Sequence, residues 1–426
     1  MFVSRIRAPS DTLCAMTWRN RAAAVALAAV LVAGCSSSKS SDTAHGVSGS
    51  PATSPSTTVA QAAARGVEAA ISAVPWTQVG PGWMLATWSP VPGRSASGPP
   101  PPGQPTSQTA TTTLYLVDPA GGRYAITTFP PPGEQASPEL VDWSGDGSHA
   151  LFDAQYAKPP TAIMVDLHTG RQTTLTLQGS PRYSRPEGKA MLLSTPPGPD
   201  SRPATLDRVD LVGNHQLTYP TDKLGSPFNG NYLSTPDGTQ LVLDTSAGLV
   251  LMGNDGTPAS TLPIPGQINC SPLRWWDESH ATVLAACDAP GFTSRLWLAP
   301  IDGGPPTALT AVNDGQKGPD LRDASAWRLP AGTFVQAEGA CGYQYLAKLT
   351  ADGTTSPVSV SGVDPGHSVI VAGVNGSDLD LKATASCGGG QSLIDYNPST
   401  NTSTVLLGPP VNGGGVIAAV PYPGQR

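Results

Sequence analysis

Charge is scarce in this chain. Asp, Glu, Lys and Arg make up 13% of its 426 residues, about half the share of an ordinary globular protein. With 24 basic against 31 acidic residues and a formal net charge of −7, it lacks the basic footprint of a nucleic-acid-binding domain. Long apolar runs are missing too. The longest, residues 22–33 (AAAVALAAVLVA), is too short to span a bilayer, which excludes a polytopic membrane protein. There is no G-x-S-x-G elbow, no G-x-x-x-x-G-K-S/T loop and no H-E-x-x-H helix, so three common local signatures of catalysis and nucleotide binding are absent. What abounds is Gly (47) and Pro (45), the two worst residues for a helix interior. The composition excludes a coiled coil and predicts short strands joined by turns. The length admits two or three ordinary domains, or one large all-β unit.

The first sixty residues read as an address. Arg19 and Arg21 precede the apolar run, and Val32-Ala33-Gly34-Cys35 closes it. A basic start, a short apolar stretch and small residues before a cut are the features of a secretory signal, with Met16 as the expected initiator. The four residues ending in Cys35 resemble the lipobox of bacterial lipoproteins. That resemblance implies a signal peptide over 1–34, cleavage before Cys35, and acylation of its thiol, palmitate included. Each buried methylene contributes about 0.8 kcal/mol, so several acyl chains make a stable anchor. Losing residues 1–34 removes four Arg and one Asp. The remainder is then repelled by anionic headgroups, and acyl chains rather than a basic patch must hold it. Residues 35–59 are rich in Ser, Thr and Pro, have no apolar period, and are expected to form a disordered tether. Residues 60–75 are Ala-rich and are expected to be a short helix or linker.

Beyond residue 75 a period emerges. Residues 141–152 (VDWSGDGSHALF) read as strand, tight turn, strand, and the pattern returns at 183–192 and 233–242. Weaker copies follow at 276–280, 329–332 and 374–377. Counted from turn to turn (147, 188, 238, 279, 332, 376), the steps are 41, 50, 41, 53 and 44 residues. Each turn is followed by a second one, at 165–170, 211–214, 253–256, 301–304, 350–353 and 396–399, rich in the Gly, Asn and Asp that hairpins require. Four short strands per repeat make one propeller blade. The turn at 236–238, Pro-Asp-Gly within Ser-Thr-Pro-Asp-Gly, resembles the repeat of TolB-like propellers, which are related to WD repeats. Segments 141–178, 183–219 and 232–263 carry that resemblance, and the later repeats fit by spacing. The expectation is an all-β, seven-bladed β-propeller over residues 76–421. The tail 415–420 (GVIAAV) is expected to return to the first blade and remove the exposed sheet edges.

Four cysteines remain after Cys35 and the early Cys14: Cys270, Cys287, Cys341 and Cys387. In a secreted chain an even set suggests two disulfides, with three pairings open. Laid on the blade pattern, Cys270 precedes blade 5, while Cys287, Cys341 and Cys387 end second strands, so all four fall on one face. This favours Cys270–Cys287 within a blade and Cys341–Cys387 between neighbours. No C-x-x-C spacing supports a metal.

The same map sorts the polar residues. In propeller enzymes the top mouth, formed by the loops entering and crossing each blade, is the usual working face. Of six His, only His367 is expected there; His149, His168, His215 and His280 lie in bottom turns, and His45 in the tether. The expected top-face carboxylates are Asp153, Glu338 and Asp364, with Asp320, Arg322 and Asp323 clustered before blade 6. Asp320, Arg322, Asp323, Asp364 and His367 form the candidate polar cluster, which could also be ordinary ties between loops. Asp142, Ser144 and Asp146 loosely match a calcium loop but lack its Glu, and a plain turn is the better reading. Nine Trp suit blade packing, not a cofactor. Residues 89–109, with seven Pro, form a stiff loop. It could recognise an aromatic groove or simply solubilise the protein. With the chain ending just after its closing strand, no peptidase domain is expected to follow.

TolB-like propellers are envelope interaction domains. The resemblance therefore implies a membrane-anchored binding or scaffold module on the extracytoplasmic face, meeting another envelope protein or a wall component and needing no cofactor. The alternative is a hydrolase or lyase acting on an envelope glycan or lactone. It requires Asp320, Asp323, Asp364 or Glu338 to converge at the channel mouth.

Overall fold

The computed structural model describes residues 66–91, 102–198, 200–289, 293–312, 320–339, 343–364, 367–385, 391–408 and 414–423. The signal segment, Cys35, the tether, Cys341, Cys387 and loop residues 92–101 lie outside the described residues. Those described fall in one compact unit, Ala60–Arg426. Its regular structure is almost wholly strand, with single 3-10 turns at Ile71–Ala73, Trp76–Gln78 and Thr221–Lys223.

The strands run in chain order. The first four are β1 (Glu68–Ala70), β2 (Met84–Ser89), β3 (Thr112–Val117) and β4 (Arg123–Phe129). Next come β5 (Glu139–Trp143), β6 (His149–Ala154), β7 (Thr161–Asp166) and β8 (Gln172–Thr176), then β9 (Ser180–Tyr183), β10 (Ala190–Thr195), β11 (Thr205–Asp210) and β12 (His215–Thr218). They continue as β13 (Phe228–Ser234), β14 (Gln240–Thr245), β15 (Gly248–Gly253) and β16 (Pro258–Leu262), and as β17 (Ile268–Trp275), β18 (Thr282–Ala289), β19 (Thr293–Pro300) and β20 (Thr307–Ala308). The last are β21 (Asp320–Leu329), β22 (Gly332–Gly339), β23 (Gln344–Leu349), β24 (Thr355–Pro357), β25 (His367–Asn375), β26 (Asp378–Ala385), β27 (Gln391–Asn397), β28 (Thr402–Leu407) and β29 (Gly415–Pro421).

From β5 to β24, each successive set of four forms its own antiparallel sheet. The remaining strands join in one nine-stranded sheet, ordered β1-β4-β3-β2-β29-β27-β26-β25 with β28 on β27. Its middle is thin, because β27 meets β29 through the single pair Gln391–Gly415. By contrast, β29 runs antiparallel to β2 along its whole length, from Met84–Pro421 to Ser89–Gly415. Each sheet packs on the next in the chain, and the last returns through β29 to β5. The result is a closed ring of sheets, a β-propeller.

Packing explains the sequence of the strands. In β10, Met191 and Leu193 join Leu151, Ala162 and Met164 of the preceding sheet. Leu192, between them, joins Leu241, Leu243 and Met252 of the following sheet. Successive side chains point to opposite faces, and both faces are covered, so the middle strands read as unbroken apolar runs such as Ala190–Thr195 (AMLLST). The outer strands face water and are polar: β8, β12 and β20 are mostly exposed.

The turns after the first strands stack on one another. A Cβ on Gly145 would sit 1.4 Å from the Pro186 carbonyl oxygen, and one on Gly238 (φ 71°) would sit 1.9 Å from that of Arg185. Only glycine fits where one turn crosses the next so closely. Within the Ala-rich stretch before β2, Glu68–Ala70 is extended and adds in parallel to β4. Cys270 lies inside β17, not in a loop before it, and is bonded to Cys287 of β18.

A candidate binding cavity among the inner strands

Of the residues singled out for the polar cluster, the structure describes the side chains of Arg322, Asp323, Asp364 and His367. On β21, Arg322 is exposed and Asp323 is buried, as alternation along a strand requires. Arg322 Nε donates to Glu338 on the adjacent β22, and this bond raises the guanidinium further above its ordinary range. Gln344 Nε2 donates to the other Glu338 oxygen at 3.3 Å, and Gln344 N donates to Ser368 Oγ at 3.1 Å. The acid and base thus tie neighbouring strands of one sheet, and the bond to Ser368 on β25 is made by the Gln344 backbone. Asp364 is exposed, and its carbonyl oxygen accepts from His367 N at 3.1 Å and lies 3.2 Å from His367 Nδ1. The backbone of Asp320 pairs with Gly339; its side chain is outside the described set. Asp153 accepts from Gln155 N at 3.1 Å, and burial, only partly countered by that bond, raises its pKa. Among the described residues, no three His, Cys, Asp or Glu side chains are placed to hold a metal ion.

The first strands of the sheets meet one another, β29 with β5, β5 with β9, and β13 with β17, so they line the ring's inner edge. Between them lies a cavity of about 470 Å³. Its wall includes Asp142, Arg182, Arg185, Tyr232, Arg274 and Trp275. Gly145, Pro186, Pro236 and His280 of the turns after the first strands also border it. The cavity therefore sits toward the end opposite the predicted top mouth.

Its one carboxylate, Asp142, is 0% exposed and heavily used. Oδ1 accepts from Trp143 N at 2.9 Å and from Arg185 Nη2 at 3.0 Å, and Oδ2 accepts from Tyr183 N at 2.8 Å. This pins β9 to β5, and Arg185 Nη1 adds a bond to Trp143 O at 3.2 Å. Trp275 Nε1 donates to Ser234 O at 2.9 Å, fixing its indole, and His280 meets that ring edge-on with centroids 6.0 Å apart. The Tyr232 hydroxyl is buried and has no hydrogen-bond partner among the described residues. Burial raises its pKa, so it stays a donor. Arg274 lies with its guanidinium carbon 5.3 Å from the centre of the Trp327 ring; burial draws its pKa down to about 10. Among the described residues, neither Arg182 nor Arg274 is within 4.0 Å of a carboxylate oxygen.

Sequence reasoning placed Asp142 in a turn and left Arg182 and Arg274 unremarked. The usable signal was a long basic residue inside a first strand, where small or apolar residues are the norm for packing.

Fold and cavity together define a β-propeller with a cationic, aromatic-lined pocket. No family model matches the chain, and no curated protein matches it. Solved structures similar to it include dihydro-heme d1 dehydrogenase NirN in complex with DHE, at 12% identity over 80% of each chain with a TM-score of 0.45. TolB from Acinetobacter baumannii is 15% identical over 64% of this chain and 65% of its own, with a TM-score of 0.36. Oligogalacturonate lyase from Vibrio parahaemolyticus is 13% identical over 76% of this chain and 85% of its own, with a TM-score of 0.44.

Proposed function

We propose that the chain is a seven-bladed propeller, held at the extracytoplasmic face of the cell membrane by a lipid on Cys35, and that it works as a binding or scaffold module. The blade count comes from dividing the nine-stranded sheet at its single Gln391–Gly415 pair. One part is β25–β28. The other is β29, β2, β3 and β4, with β1 on its outer edge. Five further sheets complete the ring.

The observation that carries a binding role is the inner cavity: it offers cations, a free hydroxyl and an indole, while its one carboxylate is engaged by Arg185. Such a wall recognises; it holds no split acid–base pair. The enzyme reading needed carboxylates converging elsewhere, and Glu338 instead pairs with Arg322. The partner expected is another envelope protein or a wall component, reached by a tether and offered the stiff loop 89–109.

Capture from the protein's own envelope, with the full chain and with a variant lacking residues 92–101, tests this. Enrichment of a defined envelope component by the full chain supports the module; a bead-only background with both overturns it. Mass spectrometry of the mature N-terminus tests the anchor, and an unmodified Cys35 overturns that part alone.

A further inference from the structure

We infer that the inner cavity binds a small organic anion, its carboxylate or phosphate group held by Arg182, Arg274 and Tyr232 and its body set against Trp275. The inference rests on the binding reading and gives it a ligand class.

The first ground is charge. The cavity wall carries three Arg against one Asp, in a protein whose formal net charge is −7. A cationic cleft in an acidic molecule concentrates anions locally and rejects cations. Arg185 is neutralised by Asp142 at 3.0 Å. Arg182 spends one guanidinium nitrogen on Pro181 O at 3.1 Å, and the rest of its fork is open; Asp153 feels its charge only at longer range. Arg274 has the Trp327 ring as its compensation, an interaction much weaker than a buried ion pair.

The second ground is the orphaned donor. A buried hydroxyl with no partner is costly, and Tyr232 Oη is one. The Tyr232 residue lines the same cavity as the two arginines. An oxyanion there satisfies all three donors at once, by bonds that are charge-assisted and, for arginine, bidentate. The third ground is shape. A cavity of about 470 Å³ falls in the range of small-molecule sites. Trp275, locked by its bond to Ser234, gives the ligand's body a flat apolar wall.

The test is titration calorimetry of the full chain in detergent with three matched probes: glucose, glucuronate and glucose 6-phosphate. Saturable binding of one or both anions, with none for glucose, is the expected result, and the stronger anion tells whether carboxylate or phosphate is preferred. Arg182→Gln and Tyr232→Phe each weaken that binding about tenfold, and higher salt weakens it further. Arg202→Gln, whose surface pair with Asp200 lies elsewhere, leaves it unchanged. Arg182 is exposed, so its variant folds even where Arg274→Gln does not. Equal binding of glucose, no saturable anion binding, or anion binding untouched by Arg182→Gln and Tyr232→Phe overturns the inference. If the envelope component is still captured in that case, only the ligand class falls. If anions bind and no component is captured, the scaffold reading falls and the pocket stands.

Discussion

Asp380 sits in an environment that a carboxylate does not favour. It lies on β26, 1% exposed, and neither carboxyl oxygen has a hydrogen-bond partner among the described residues. Burial, and then repulsion from Asp395 opposite and Asp378 two residues before, raise its pKa to about 7. Lys382, further along the same strand, is spent on Ile417 O of β29 at 2.6 Å. In the unfolded chain such a carboxyl titrates near the usual value of about 4. Between about pH 4 and about pH 7 the folded state therefore holds the extra proton. Stability falls as pH climbs through that window and levels off above it. Asp380→Asn removes the penalty, so its melting temperature exceeds wild type by several degrees at pH 8 and by little at pH 4.5. Equal shifts at the two pH values contradict the assignment. The contrast with Asp352 is instructive: exposed in a turn, it is pulled down to about 2 by hydrogen bonds from Thr350 and Thr354. Turn aspartates were legible because Gly and Thr neighbours mark them; Asp142 was not, because Tyr183 and Arg185 reach it from the next sheet, and Asp380 was not, because strand pairing sets Asp395 opposite it.

At the scale of the element, hairpins were the readable unit. Turn chemistry at Gly147, Gly188 and Gly238, all with positive φ, marks strand ends without any tertiary information. What escaped is the pairing that local propensity opposes. Glu68–Ala70, two alanines and a glutamate, favours helix, yet it completes a sheet edge beside Arg123 and Tyr124. Two predictions belong here. Leu192 is 1% exposed in the face toward the next sheet, so Leu192→Ala costs about 2–5 kcal/mol in chemical denaturation. A loss near zero contradicts the buried face. The Cys270–Cys287 bond closes a loop of 17 residues and contributes roughly 3 kcal/mol by restricting the unfolded chain. The double variant Cys270→Ala/Cys287→Ala lowers the denaturation midpoint accordingly, and reducing agent shifts wild type more than the variant. An equal response of both to reducing agent contradicts the bond.

For the whole molecule, closure decides everything else. The ring closes only if its two ends meet: β29 covers the edge of β2, and an open edge there invites association with other chains. Here the meeting is Met84–Ser89 against Gly415–Pro421, reinforced by Ala418 N donating to Thr87 Oγ1 at 3.1 Å. Trp143 and Tyr422, in contact edge-on at 5.2 Å, extend the same seam toward β5. The apolar run GVIAAV betrayed a strand without a hairpin partner, which made its destination inferable. The cavity was not inferable in the same way. Which side of a first strand faces the ring's axis depends on how neighbouring sheets are turned, and no single repeat encodes that.

Hydrogen exchange of the full chain, followed by mass spectrometry, measures the closure directly. The account predicts that the amides of residues 415–421 are protected as strongly as those of 84–89, and that the two segments lose protection together as denaturant is added. Exchange of 415–421 at the rate of an unstructured peptide, with 84–89 still protected, would contradict it.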